Sequence, residues 1–142
     1  MKTWLPVIGR LQIEKGNIRI ILPYDFCSYY KQFVDKEYKI FSNLPAHGAH
    51  VNISRDIHHP NINKNDINRV REIYKNYPIP IYYNNNIIMG GMSRSFRNWY
   101  VHVRGEHIDR ISDMLGIKPS NFGWHCTLAN TKNGVRPYIW MK

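Results

Sequence analysis

Residues 99–129, WYVHVRGEHIDRISDMLGIKPSNFGWHCTLA, decide the fold because they predict a strand, a helix, a loop and a second strand in that order. Residues 99–104 alternate in a way that is typical of a half-buried strand. A helix over 106–115 is predicted from apolar residues at helical spacing: Ile108, Ile111, Met114 and Leu115. Gly116 suits the left-handed residue that follows a helix, and residues 124–129 alternate again as a strand.

The same order of elements is predicted a second time, in residues 17–54. Residues 17–22, NIRIIL, are typical of a strand, and residues 24–38 carry apolar side chains at helical spacing. After a loop, residues 50–54, HVNIS, are again typical of a strand. No residue-level repeat links this half to residues 99–129. The shared order nevertheless predicts a duplicated, bilobal α+β fold, with antiparallel sheets flanked by helices and a central cleft.

The remaining residues carry weaker patterns. The sequence predicts a surface loop over 55–69 with a short helix at about 65–70. It predicts strands at 79–83 and 136–140 and a turn at 84–86. The segment at 87–97 is predicted to begin as a strand and to end as a flexible basic stretch. The length of 142 residues is that of one domain, so we expect a single domain over residues 1–142.

The charge balance favours an anionic partner. Lys and Arg number 20 against 10 Asp and Glu, which gives a formal net charge of +10. Such a charge suits RNA, DNA, nucleotides or an acidic membrane surface, although it also serves solubility alone. No run of residues is long and apolar enough to suggest a membrane span, so we expect a nucleotide or RNA partner and no membrane.

The cellular setting is predicted from the cysteines and the N-terminus. The two cysteines, Cys27 and Cys126, fit neither a metal site nor a disulfide framework, which indicates a reducing compartment. The first 16 residues lack the apolar segment of a signal peptide. We expect a cytoplasmic monomer. The abundance of Asn, Ile, Lys and Tyr indicates an AT-rich genome, such as that of a phage, which would place the protein in an infected host cell.

The second strand of each predicted half carries one histidine near its start, His50 in the first half and His125 in the second. Residues i and i+2 of a strand share a face, so His50 and Asn52 face one way, and His125 and Thr127 do the same on the other strand. Cys126 then points to the opposite face, where a packed thiol is more typical than a nucleophile. Each strand therefore presents an imidazole and a short hydrogen-bonding group to one side.

Two imidazoles can divide the work of phosphoryl transfer. The neutral ring takes a proton from the attacking hydroxyl or water, and the protonated ring gives a proton to the leaving oxygen. A histidine pKa near 6.5 lets both forms coexist near neutral pH. Short polar side chains would stabilise charge on the nonbridging oxygens. The chemistry requires no metal ion and no cofactor.

These motifs resemble those of the 2H phosphoesterase superfamily, which is named for two His-x-Thr/Ser motifs on the strands of a duplicated bilobal α+β fold. The second motif, Gly-Trp-His-Cys-Thr-Leu at residues 123–128, is the better match. The first, Ala-His-Val-Asn-Ile-Ser-Arg at residues 49–55, carries Asn52 where Thr or Ser is expected. Its continuation into Arg55 is similar to the phage "Swiss army knife" RNA-repair-like branch.

The resemblance implies a hydrolase that cuts cyclic phosphates or phosphodiesters of RNA-type nucleotides. These include 2′,3′-cyclic ends, 2′,5′-linked oligonucleotides and the cyclic oligonucleotide signals of antiviral defence. It implies that His50 and His125 are the acid/base pair and that Asn52 and Thr127 hold the phosphate. The Asn52 amide can donate a hydrogen bond to a phosphate oxygen, or it marks a weakened site that only binds nucleotide or RNA. A third hypothesis is a basic RNA-binding protein in which the two motifs are coincidental.

Several other side chains are candidates for the site. Arg55 is either a phosphate ligand or a solvated surface residue. Three aromatic residues are candidates for base stacking, with core packing as the alternative role for each: Trp124, Tyr100 and Tyr138. His102 is either a cleft or a surface residue. Four histidines suggest a metal site by spacing but lack accompanying Cys or carboxylate ligands, so no metal is expected: His47, His50, His58 and His59.

Overall fold

The computed structural model describes residues 3–55, 59–93, 96–119, 123–132 and 136–137. These residues contain nine strands and three helices. The strands are β1 (Trp4–Glu14), β2 (Asn17–Ile21), β3 (Ile40–Phe41), β4 (His50–Ser54), β5 (Ile79–Asn84), β6 (Ile88–Ser93), β7 (Phe96–Arg104), β8 (Trp124–Asn130) and β9 (Arg136–Pro137). The helices are α1 (Phe26–Tyr38), α2 (Lys64–Tyr74) and α3 (Glu106–Leu115). The α+β class predicted from the sequence is confirmed.

Seven strands form one antiparallel sheet in the order β5-β1-β2-β4-β8-β7-β6. Strand β7 pairs with β6 through residues 96–100 and with β5 through residues 103–104. Because β5 also pairs with β1, six strands close into a ring. The two histidine-bearing strands, β4 and β8, are neighbours in this ring, and β3 and β9 form a separate small sheet.

One face of the large sheet is apolar and packs against the helices. Its strands contribute alternate residues to a single core: Ile18, Ile20, Val51, Ile53, Ile79, Ile81, Val101, Val103, Cys126 and Leu128. The helices add Phe26 and Cys27 from α1, Val70 and Tyr74 from α2, and Ile108, Ile111 and Leu115 from α3. The period-two alternation of the strands therefore leaves the intervening polar residues on the other face.

The strand–helix–strand order that the sequence predicts for the two halves is confirmed. It consists of β2, α1 and β4 in the first half and of β7, α3 and β8 in the second. The two-residue strand β3 lies in the loop predicted between α1 and β4. Helix α3 spans the predicted residues, and Gly116 follows it with a φ of 69°. Within each half the two strands pair with each other, and β4 and β8 pair across the halves.

Strand β1 is the largest element for which the sequence predicts nothing. Pro6 and Gly9 interrupt its alternating pattern. Residues 4–9 pair with β5, whereas residues 10–14 pair with β2. Pro6 therefore lies in the part of β1 that pairs with a strand on one side only. Proline is tolerated there because the N–H that it lacks is not needed for a second ladder. Gly9 allows a close approach, since a Cβ there would lie 2.4 Å from the Ile20 Cγ2 atom.

Two further predictions are corrected. The described residues before Lys64 form a loop as predicted, but the short helix expected at about 65–70 is longer, since α2 spans Lys64–Tyr74. The Asn63 side chain caps its first turn by accepting a hydrogen bond from the Asn65 N–H at 2.7 Å, and Val70 and Tyr74 anchor it in the core. The segment at 87–97 is strand on both sides of residues 94–95, which lie outside the described residues. Of the strand predicted at 136–140, only residues 136–137 are described.

None of the helices in the described residues has the length and apolar character needed to cross a membrane.

Candidate active site

The register of β4 against β8 brings His50 and His125 onto one face of the sheet. The two strands pair antiparallel with Val51 directly opposite Cys126. Both of these residues are fully buried in the core, so the residues on either side of them face the opposite way. His50 is half-buried and His125 is exposed there. The two imidazoles thus lie across a shared ladder, as acid/base partners on one phosphate would need to.

The two short polar residues lie between these histidines. The antiparallel register places His50 beside Thr127 and Asn52 beside His125. The histidines are then diagonal neighbours, a relation in which Cβ atoms are about 7–8 Å apart. Side chains in this relation can face one group placed between them. Asn52 and Thr127 occupy the other diagonal of the same four-residue patch.

Each histidine is anchored by the glycine two residues before it. The His50 Nδ1 atom lies 2.8 Å from the Gly48 carbonyl oxygen, and His125 hydrogen-bonds the backbone of Gly123. Both glycines have left-handed backbones, with φ of 72° and 70°. A carbonyl oxygen only accepts, so the His50 Nδ1 carries the proton and the Nε2 of the neutral ring is the nitrogen that can accept one. The shared Gly-x-His spacing is a sequence signal that the motif analysis missed.

Burial lowers the pKa of the His50 ring below its ordinary value of 6.5. Three neighbouring groups lower it further by positive charge: Arg19, His47 and Arg55. The hydrogen bond to Gly48 acts in the opposite direction. With no negative group among these influences, the neutral imidazole is favoured at neutral pH.

The pKa of His125 is also lowered, and desolvation is again the main cause. Although the side chain is exposed at its tip, the protein packed around the ring removes enough water to disfavour the charged form. His102 lowers the pKa further, and the bond to Gly123 raises it. The lowered pKa of both histidines therefore favours the neutral, proton-accepting ring on this face of the sheet.

Strands β2 and β7 extend the polar face on either side of the histidines. On β7, His102 is directly opposite His125 and Tyr100 is opposite Thr127. The Tyr100 ring centroid is 5.3 Å from that of His125, which places this stacking candidate at the site and not in the core. On β2, Arg19 is directly opposite Asn52. Arg19 was not among the predicted site residues, although it is the single charged residue of β2.

A cavity of about 280 Å³ opens at the Asn52 and His125 end of this face. Besides Asn52 and His125, its lining includes the predicted site residues Arg55 and Trp124. It also includes His59, which was considered only as a metal ligand, and Lys118, which was not predicted. Arg55 and Lys118 are exposed, and Trp124 is half-buried against the core. The cavity therefore combines two cations with an indole ring within reach of His125.

The other candidates fall outside the site or outside the described residues. Tyr138 and His58 belong to the latter. Cys126 is fully buried and lies beside Cys27, and their hydrogen bond together with burial raises the pKa of its thiol, which fits a packed thiol. The His47 ring lies 6.1 Å from His50. In the described ranges, no three His, Cys, Asp or Glu side chains are close enough to hold a metal ion.

No family model, curated protein or solved structure matches this chain.

Proposed function

We propose that the protein is a metal-independent phosphodiesterase of the 2H phosphoesterase type, acting on RNA-type nucleotides. The observation that carries the proposal is the diagonal arrangement of His50 and His125 on adjacent strands, with Asn52 and Thr127 between them. The strand–helix–strand order of both halves supports the duplicated bilobal fold of that superfamily.

The reaction needs one proton acceptor and one proton donor on opposite sides of a phosphorus atom. The neutral imidazole takes a proton from a water molecule or hydroxyl at Nε2 as the new O–P bond forms. The protonated imidazole gives its proton to the departing oxygen as the old P–O bond breaks. Asn52 and Thr127 donate hydrogen bonds to the nonbridging oxygens, on which charge accumulates. Exchange of protons with solvent restores the starting state.

The cavity beside His125 supports a substrate that extends beyond the scissile phosphate. Its volume of about 280 Å³ is close to the lower end of the ~300–1,000 Å³ typical of ligand pockets. Space of that size suits one nucleotide unit. Trp124 offers a surface for a base, and Arg55 and Lys118 offer charges for a neighbouring phosphate. The net charge of +10 would favour the approach of such a polyanion.

Turnover in EDTA is the direct test of this function. The purified protein is incubated with 2′,3′-cyclic mononucleotides, cyclic di- and trinucleotides and 2′,5′-linked oligoadenylate, and products are identified by mass spectrometry. We expect hydrolysis of at least one class at the same rate with and without EDTA. A rate that EDTA removes and a divalent metal restores would contradict the mechanism.

A second candidate function is a nucleotide- or RNA-binding module without catalysis, and Asn52 is the observation that favours it. An amide lacks the hydroxyl that the superfamily motif provides at this position. Binding without product formation in the same screen would support the module. If the Asn52→Thr variant then hydrolysed a substrate that the wild type only binds, the lack of catalysis would be assigned to Asn52.

The pH dependence of kcat/KM is expected to be bell-shaped with its maximum below pH 6.5. One histidine must be protonated and the other neutral, so activity falls as pH drops through the lower pKa and as pH rises through the upper one. Burial lowers both values from 6.5 in the free protein. Rates measured from about pH 5 to 8 span the range of histidine titration. A maximum at pH 7 or above would contradict this prediction.

A further inference from the structure

Arg19 is a buried cation for which the described part of the chain supplies no ion-pair partner. Its side chain is 7% exposed, and its Nε atom is buried without a hydrogen-bond partner. Among the described residues, no Asp or Glu forms an ion pair with it; the ion pairs found there join Lys31 to Asp35, Arg69 to Asp66 and Arg110 to Glu106. Burying an unpaired charge is strongly unfavourable because the charge loses its hydration, so this position calls for an explanation.

The pairing of β2 with its neighbours places Arg19 on the histidine face. Ile18 and Ile20 on either side of it are fully buried in the core. Asn52 on β4 lies directly opposite Arg19 on one side, and Gln12 on β1 lies directly opposite on the other. Both neighbours are amides without charge. The ladder also shifts register between Ile18 and Arg19, an irregularity that can re-aim a side chain beside an active site.

The guanidinium group also lies close to the first histidine. Its positive charge is one of the influences on the His50 ring. An anion bound between His50, Asn52 and Arg19 would neutralise the buried charge and accept a hydrogen bond from the unpartnered Nε. A tetrahedral oxyanion suits the site because a guanidinium can donate two parallel hydrogen bonds to phosphate oxygens.

We propose that Arg19 is an anion-binding residue of the cleft and that its ligand is a phosphoryl group held beside Asn52. The identity of this ligand as the substrate's phosphate rests on the proposed function, whereas anion binding itself does not. Arg19 supplies the positive charge on the side of the cleft where an amide stands in place of a hydroxyl. The first half of the site thereby holds its phosphate by charge as well as by a hydrogen bond.

The experiment compares inorganic phosphate binding by the wild-type protein and an Arg19→Met variant, followed by NMR of the histidine rings at constant ionic strength. We expect binding to the variant to be at least about tenfold weaker, as loss of a charged hydrogen bond predicts. The control is Arg69→Met, which removes the same charge from the exposed surface of α2 and is expected to bind as the wild type does.

Thermal unfolding separates a binding role from a structural one. Because Met removes an uncompensated buried charge, the variant is expected to unfold at the same or a higher Tm than the wild type, whereas a structural Arg19 would give a lower Tm. If Arg19→Met does not fold, Arg19→Lys keeps the charge, and phosphate should still raise its Tm more than chloride of equal ionic strength. Phosphate binding by Arg19→Met as tight as by wild type, or no phosphate effect on the wild type, would overturn the proposal.

The proposed function and this inference fail separately. A protein that turns over no nucleotide in the EDTA screen but binds phosphate through Arg19 retains the anion site. A protein that hydrolyses nucleotides with unchanged KM and phosphate affinity in Arg19→Met retains the function and loses the inference.

Discussion

His50→Gln and His125→Gln are each expected to lower kcat by about a thousandfold, within the range of ~10²–10⁴ for removal of a general acid or base. Gln keeps much of the side-chain volume and its hydrogen-bonding capacity but cannot exchange a proton near neutral pH. The two rings lie diagonally across the β4–β8 ladder, and in the proposed mechanism they serve one reaction. The double variant should therefore be little slower than either single one, because residues that act as a unit are not additive.

The matched control is His107→Gln. The His107 ring lies on α3, where its Nδ1 is 2.9 Å from the Tyr74 hydroxyl, outside the histidine face of the sheet. We expect its kcat to stay within about twofold of the wild type, in line with its distance from the reacting groups. Circular dichroism spectra would establish that all variants fold. Wild-type kcat in either cleft variant would remove that histidine from the mechanism.

Leu128→Ala is expected to lower the free energy of unfolding by about 2–5 kcal/mol, the usual cost of truncating a buried leucine. Leu128 lies on β8, the strand that carries His125 and Thr127, and its side chain is completely buried on the face that packs against the helices. Urea unfolding followed by tryptophan fluorescence measures the change. Because the residue is on the opposite face from the cleft, kcat of the folded fraction should change little.

Leu44→Ala provides the same chemical change at a position that is 50% exposed. It is expected to alter stability by no more than about 0.5 kcal/mol, as surface substitutions usually do. Equal losses in the two variants would mean that Leu128 is not part of a closely packed core.

The elements that the sequence predicts well depend on local patterns. Helix α3 and strand β4 have the predicted bounds, since their apolar periods of 3.6 and two residues are set by neighbours along the chain. Strand β1 was not predicted because Pro6 and Gly9 break its pattern, and both are accommodated by strands that are distant in sequence. Helix α2 was underestimated for a similar reason: Val70 and Tyr74 anchor it only once the core exists.

The sequence predicts the candidate site only in part, for the same reason. The period of a strand is enough to put His50 with Asn52, and His125 with Thr127, on one face each. It cannot show that Val51 stands opposite Cys126, which is the register that makes the two histidines diagonal neighbours. That register depends on pairing between residues 75 positions apart, a long-range choice stabilised by the shared core beneath the strands.

By itself the sequence determined the candidate side chains: a histidine followed two residues later by Asn52 or Thr127 on one strand of each strand–helix–strand half, in a chain rich in positive charge. The tertiary structure alone decided which of them meet. It brought Arg19 beside Asn52, Tyr100 beside His125, and Lys118 to the cavity with Arg55. The physical reason is that a side chain's direction follows from the backbone period of its own strand, whereas its neighbours follow from the order and register in which the strands pair.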